Sequence, residues 1–167
     1  MDLISQLNQE LRQLAGFMSA SPKRVELTDA EGVRLAIDFV AVDTLSCAFR
    51  ELWLHVPKLV GKELAILKQW ADALSRRVTY LLENIGPLEV DRLGDKILIR
   101  STPPDRISGA TKFYEVLLSA KSDGTFSLKR FAFEAGSSGR QLVDIQLTHE
   151  VLNKLFRDLL ETVPEME

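Results

Sequence analysis

The sequence predicts an α+β fold of two layers, a mainly antiparallel sheet in meander order covered by three amphipathic helices. Three observations lead there. Segments 2–19, 61–83 and 149–163 repeat apolar residues at intervals of three and four, the period of a helix with one buried stripe. The stretches between them, 24–56 and 88–147, alternate apolar and polar residues, as half-buried strands do. Their turns are too short for parallel crossovers, so neighbouring strands must pair antiparallel.

In the first helix, Leu3/Ile4, Leu7, Leu11, Leu14 and Met18 form the stripe, and the proline at Pro22 stops the segment after Ser19. A short strand at 24–27 is followed by the turn Asp29-Ala30-Glu31-Gly32. The next strand shows Val33, Leu35, Ile37 and Phe39 on one face. Residues 47–56 form the third strand, with Arg50, Leu52, Leu54 and Val56 opposite Phe49, Glu51, Trp53 and His55. A helix over 43–54 fits the same residues as an alternative. Pro57 closes this element.

The long helix at 61–83 has the seam Leu64, Leu67, Ala71, Leu74, Val78 and Leu81, closed by Gly86 and Pro87. Hairpins at 88–101 and 113–133 follow. The second turns at Asp123-Gly124, where glycine supplies the positive φ such a turn needs. Phe126/Leu128 and Phe131/Phe133 are out of phase along one strand, which predicts a bulge at Lys129-Arg130. Residues 142–147 form the last strand. Thr148 then caps a helix striped by Leu152, Leu155/Phe156, Leu159 and Val163.

The 167 residues suit a single domain, 1–167, and show no internal repeat. With 46% apolar and 27% charged residues the composition is that of a globular protein, which excludes collagen-like and disordered readings. No apolar run approaches the roughly 20 residues of a membrane-spanning helix, and the start lacks the pattern of a signal peptide. One cysteine, Cys47, allows neither an internal disulfide nor a cysteine-based metal cage. These features point to a bacterial-type cytoplasmic compartment. The net charge of -3 comes from acidic and basic residues spread evenly along the chain. With no run of Lys or Arg longer than two, nothing concentrates positive charge as phosphate-tracking proteins do, so no nucleic acid is expected.

The search for chemistry yields no catalytic constellation, metal site or cofactor motif. Cys47 and His55 on one strand would stand more than ~20 Å apart, too far for a nucleophile and its base. His149 opens a helix, where an imidazolium is disfavoured. The segment 136–140, Gly-Ser-Ser-Gly-Arg, offers amides and an arginine to an anion, but it opens no helix and reads as a hairpin loop. The long connection at 101–111 carries Arg106 as a polar contact. Arg50, Trp53, His55, Trp70 and Arg106 are therefore the candidate ligand- or partner-binding residues. Trp70 and Tyr80 lie outside the long helix's strict seam, so that helix either sits deep in the core or meets a second partner, for which a second copy of the chain is the expected choice.

The first helix, the Glu31-Gly32 turn, the strand through Asp38 and the long helix at 62–83 resemble, in element order, the type III secretion chaperone-like fold. That resemblance covers about half of the chain and implies a dimeric, non-catalytic binding protein. The expected function is thus a protein-binding, adaptor or chaperone-like module whose partner is another protein or a second copy. A small-molecule-binding or enzymatic domain, with a pocket between the sheet and the long helix, is the alternative.

Overall fold

The computed structural model describes residues 1–82, 89–91, 95–101, 110–121, 123–134, 136 and 139–165. The chain runs α1 (Leu3–Gln13), β1 (Phe17–Thr28), β2 (Arg34–Val42), β3 (Ser46–His55), a short 3-10 turn (Pro57–Leu59) and α2 (Leu64–Arg77). It continues through β4 (Glu89–Asp91), β5 (Lys96–Arg100), β6 (Ala110–Ser119), β7 (Thr125–Glu134), β8 (Gln141–Val143), β9 (Ile145–Thr148) and α3 (His149–Thr162). The nine described strands form one antiparallel sheet, seven of them in the order β1-β2-β3-β7-β6-β5-β4, with β8 paired to β7 and β9 to β3 off this path. The fold is α+β, as its sequence periodicities require.

Directly opposed residues on neighbouring strands point to the same face. One apolar row therefore crosses the sheet through Val25, Ile37, Leu52, Leu128, Val116 and Ile99, and a second through Leu27, Leu35, Leu54, Phe126, Leu118 and Ile97. The helices bury their stripes on this face: Leu3, Leu7 and Leu11 of α1, Leu67, Trp70 and Leu74 of α2, and Leu152, Leu155, Phe156 and Leu159 of α3. After β3 the chain crosses to the far edge by way of α2. The meander β4–β7 then walks back to the centre.

Mid-sheet, β3 and β7 stay paired only from Glu51/Lys129 to His55/Thr125. Beyond that point they diverge. The chain segment 141–148 fills the fork, with β8 on Arg130–Ala132 of β7 and β9 on Ser46–Phe49 of β3. Asp144 lies at the changeover, and its carboxylate accepts from Arg50 Nε at 3.1 Å.

Several sequence expectations shift. The first helix ends at Gln13, not 19, because Gly16 turns the chain at φ 93° and donates its N–H to Val42 O. Met18 consequently lies in β1, exposed, and no longer belongs to the helical stripe. Residues 19–22 bulge out of the β1–β2 ladder instead of ending a helix. The long helix begins at Leu64 and stops at Arg77, since Val78 (φ -95°, ψ 42°) leaves helical geometry, yet Leu81 and Leu82 remain buried. The helical alternative for 43–54 is excluded by β3.

Phe49 joins Leu52 and Leu54 in the core, because the β2–β3 register shifts on both sides of Phe39. The predicted bulge at Lys129-Arg130 is absent. β7 stays in regular register with β6 from Thr125 to Glu134, so Phe131 and Phe133 fall on the face opposite Phe126 and Leu128. What changes at Arg130 is the partner of β7, from β3 to β8.

Gly124 closes the β6–β7 turn at φ 60°, and a Cβ there would meet Val56 O at 2.7 Å and Val60 N at 3.0 Å. Gly124→Ala should therefore lose roughly 1–3 kcal/mol, read as a lowered urea midpoint with an unchanged slope.

Candidate functional site

With all three helices packed on one face, the opposite face of the sheet is the surface left for recognition. Its strands carry the polar phase of the alternation, and register brings their charges into line. Arg24 pairs with Asp38 at 2.8 Å and reaches Glu51 at 3.9 Å. Glu51 meets Lys129 at 4.0 Å, and Lys129 stands opposite Glu115 in the β6–β7 register. Glu115 in turn accepts from Arg100 Nε at 3.3 Å and from Arg140, while Arg100 also reaches Glu89 at 3.2 Å. An ion-pair ladder thus crosses the main path of the sheet, from β1 to β4.

Exposed pairs of this kind contribute about 0–1 kcal/mol each. The deeper carboxylates, Asp38, Glu51 and Glu115, are the ones held by two or more cations or by a bidentate arginine. Beside the ladder runs a less polar row: Ala36, Trp53, Ser127, Leu117 and Leu98, placed by direct cross-strand pairing. The Arg34 guanidinium lies 5.5 Å from the Trp53 ring, which stacks on His55 at 6.0 Å with 10° between the planes. His55 donates from Nδ1 to the Asp123 carbonyl at 2.6 Å, so that ring is anchored at the hairpin end.

Of the sequence candidates, Arg50, Trp53 and His55 all lie away from the helices. Arg50 is paired with Asp144, and only Trp53 and His55 are in mutual contact. A pocket between the sheet and α2 lined by these three is therefore not formed. Trp70 is fully buried, 6.0 Å from Phe126, and donates its indole N–H to Thr162 at 3.1 Å. Arg106 lies outside the described residues. Cys47 points into the core, on the side opposite Glu51 and His55, and burial pushes its thiol up to about 12. His149, at the start of α3, is held by its Nε2, which lies 3.1 Å from Ser46 O.

Among the described residues the most buried carboxylate is Asp158 on α3, 4% exposed at its side chain. It accepts from Tyr80 Oη at 2.7 Å, Arg77 Nε at 3.0 Å and Lys154 Nζ at 3.2 Å. Burial opposes its ionisation, but Tyr80, Lys154 and Arg77 together outweigh that and hold the carboxyl below its ordinary value. Tyr80 moves the other way, its hydroxyl pushed up by burial and by the bond to Asp158. Arg77 also pairs with Glu161. The cluster ties α2 to α3, and with Trp70 it occupies the apolar width of α2 that the sequence left available for a partner.

Among the described residues, no three His, Cys, Asp or Glu side chains gather closely enough to hold a metal ion. No helix among them is long and apolar enough to cross a membrane. No family model, curated protein or solved structure matches the chain. The outer-face ladder was missed by sequence reasoning because each charge looks like ordinary solvated alternation until the register is known. The one sequence signal for an apolar patch on that face is the phase change at Phe131/Phe133; it predicts a bulge, whereas the regular β6–β7 register makes it a change of face.

Asp158→Asn should cost about 1–3 kcal/mol at pH 7 by leaving the Tyr80 hydroxyl and two cations short of an acceptor. Because the folded pKa is lowered, that contribution is present above the ordinary carboxylate value of 3.8 and is lost as the pH falls through the folded one. Denaturation of wild type and variant from pH 7 to pH 3 should show the two curves converging in acid. The Cys47 thiol should resist a chromogenic disulfide reagent in the folded protein and react at the rate of global or local opening. Fast stoichiometric labelling in native buffer would contradict its burial.

Proposed function

We propose that the protein is a non-catalytic protein-binding module that contacts its partner through the helix-free face of its sheet. The observation that carries this reading is the uncovered face itself. It presents a ladder of internally matched charges beside a row containing half-buried Trp53 and exposed Leu117. Internally paired charges lower the desolvation cost of covering such a surface, since the ladder groups keep their hydrogen-bond partners when water leaves. Tryptophan and arginine are also the residues that most often anchor protein interfaces.

Support from chemistry runs the same way. The titratable groups that are displaced from their ordinary values are explained by packing or capping: Asp158 by the α2–α3 tie, Cys47 by burial, and Asp43 by the backbone N–H groups of Leu45 and Ser46. Asp43 shares one groove with Cys47 and another with His149, but its carboxylate is turned onto the N–H groups of Leu45 and Ser46 and the Cys47 side chain is buried, so neither pair is set up as a nucleophile with its base. The partner in this reading is a different protein chain. Self-association rested on spare apolar surface at Trp70 and Tyr80, and α3 covers both.

The test is affinity capture with wild type, Leu117→Glu, Trp53→Ala and, as a helix-layer control, Arg157→Glu. A partner recovered in fixed ratio should be retained by the control and reduced at least tenfold by both face variants. Equal recovery with all four proteins overturns the assignment of the face.

A further inference from the structure

Past the ladder, at the far end of β6 and β7, the outer face turns aromatic. Phe113 stands opposite Phe131, with ring centroids 5.8 Å apart and 30° between planes, and Phe131 is in turn opposite Leu142 of β8. Thr111 stands opposite Phe133, which is 46% exposed. Two guanidiniums converge here from different elements, Arg100 from β5 and Arg140 from the segment before β8. Both bond the same carboxylate, Glu115. The Arg140 guanidinium also lies over the Phe131 ring, 4.0 Å from its centroid, a cation–π contact. Arg100, Thr111, Phe113, Phe133, Gly139 and Arg140 line a cleft of about 550 Å³.

The size falls within the ~300–1,000 Å³ typical of small-molecule sites. Glu89, the other partner of Arg100, is itself 58% exposed but is not part of the cleft lining, and among the remaining three groups the charge at the mouth is set by depth. Glu115 is only 14% exposed at its side chain, whereas Arg100 and Arg140 are 46% and 41% exposed. Glu115 and Glu89 engage three of the N–H groups of this pair, and each guanidinium carries five. A second carboxylate can therefore be accepted from the outer side in the planar, forked geometry that guanidinium groups favour. A bare inorganic anion would leave the Phe113 and Phe133 walls without contact, and a cation would meet two like charges. A groove of about 500 Å³ near the opposite end of the sheet, between Phe17, Ala41, Ala48 and Leu147, lacks this pairing, since Asp43 at its edge is turned onto its own turn's N–H groups.

We propose that the cleft between Arg100, Arg140, Phe113 and Phe133 binds a small organic acid, one carboxylate carried on a flat apolar body. The carboxylate sits against the two guanidiniums and the body lies along the phenylalanine rings. This site is separate from the Trp53–Leu117 surface, so either assignment can fail while the other stands.

The test is a chemical-shift titration of the full-length ¹⁵N-labelled protein with 3-phenylpropionate, with its neutral amide, and with an acetylated tripeptide ending in phenylalanine with a free carboxylate. Saturable 1:1 binding of the acid is expected, with shifts centred on residues 111–115 and 139–142 and at least tenfold weaker binding of the amide. Arg140→Gln and Phe133→Ser should each weaken the acid at least tenfold. Arg157→Gln, on the exposed side of α3, should leave it unchanged, and thermal melting of each variant reports whether the fold is kept. Binding of the amide as tightly as the acid, binding insensitive to Arg140→Gln and Phe133→Ser, or no saturable binding of the acid overturns the proposal. So does capture of the peptide with no binding of the acid, which would give the cleft to a protein terminus.

Discussion

Two apolar rows, each running across six strands at right angles to the chain, govern the rest of the structure. Residues such as Ile37, Leu52, Leu128 and Val116 are locked into one line by cross-strand register. Burial of apolar area contributes about 25 cal/mol per Å², and it is available on only one face of each strand. A slip of one residue in any strand would turn its share of the rows to solvent and bring its charges inward. The same register that lines up the apolar residues inside lines up Arg24, Asp38, Glu51, Lys129, Glu115 and Arg100 outside. Core and charged outer face are two readings of one pairing pattern.

The fold class was legible because it rests on periodicity alone. The stripes of α1 and α3 and the alternation of β2 and β5 each carry their own signal, and short turns leave antiparallel pairing as the simple solution. Boundaries were less legible where a tertiary contact overrides the local pattern. Met18 continues the helical spacing of Leu7, Leu11 and Leu14, yet Gly16 bonds across to Val42 and starts a strand. Leu81 continues the seam of α2, yet the chain leaves the helix at Val78 and buries Leu81 without it.

The candidate site was legible residue by residue and illegible as a site. Trp53 and His55 are neighbours at a two-residue spacing, and sequence alone places them on one face. Trp70 was misjudged because a helix apolar over a wide arc has two explanations, a partner or a deeper core, and here α3 supplies the core. The convergence of Arg100 and Arg140 on Glu115 joins residues 15 and 25 positions apart. It depends on two strand pairings and on the fork at β8, none of which leaves a trace in local composition.

That fork has a consequence for how the chain is made. The inner edge of β3 at Ser46–Phe49 is completed only by Ile145–Thr148, about 100 residues later, and Asn8 of α1 meets its polar partner Asn153 of α3 across 145 residues. During synthesis the first three strands emerge with one edge and most of their cover missing. Pairings between such distant segments are slow to close, and open strand edges invite misassociation while they wait. The segment 141–162, which holds β8, β9 and α3, therefore acts as the closing piece. A nascent chain stalled just short of them carries nearly all of the sheet and none of its seal.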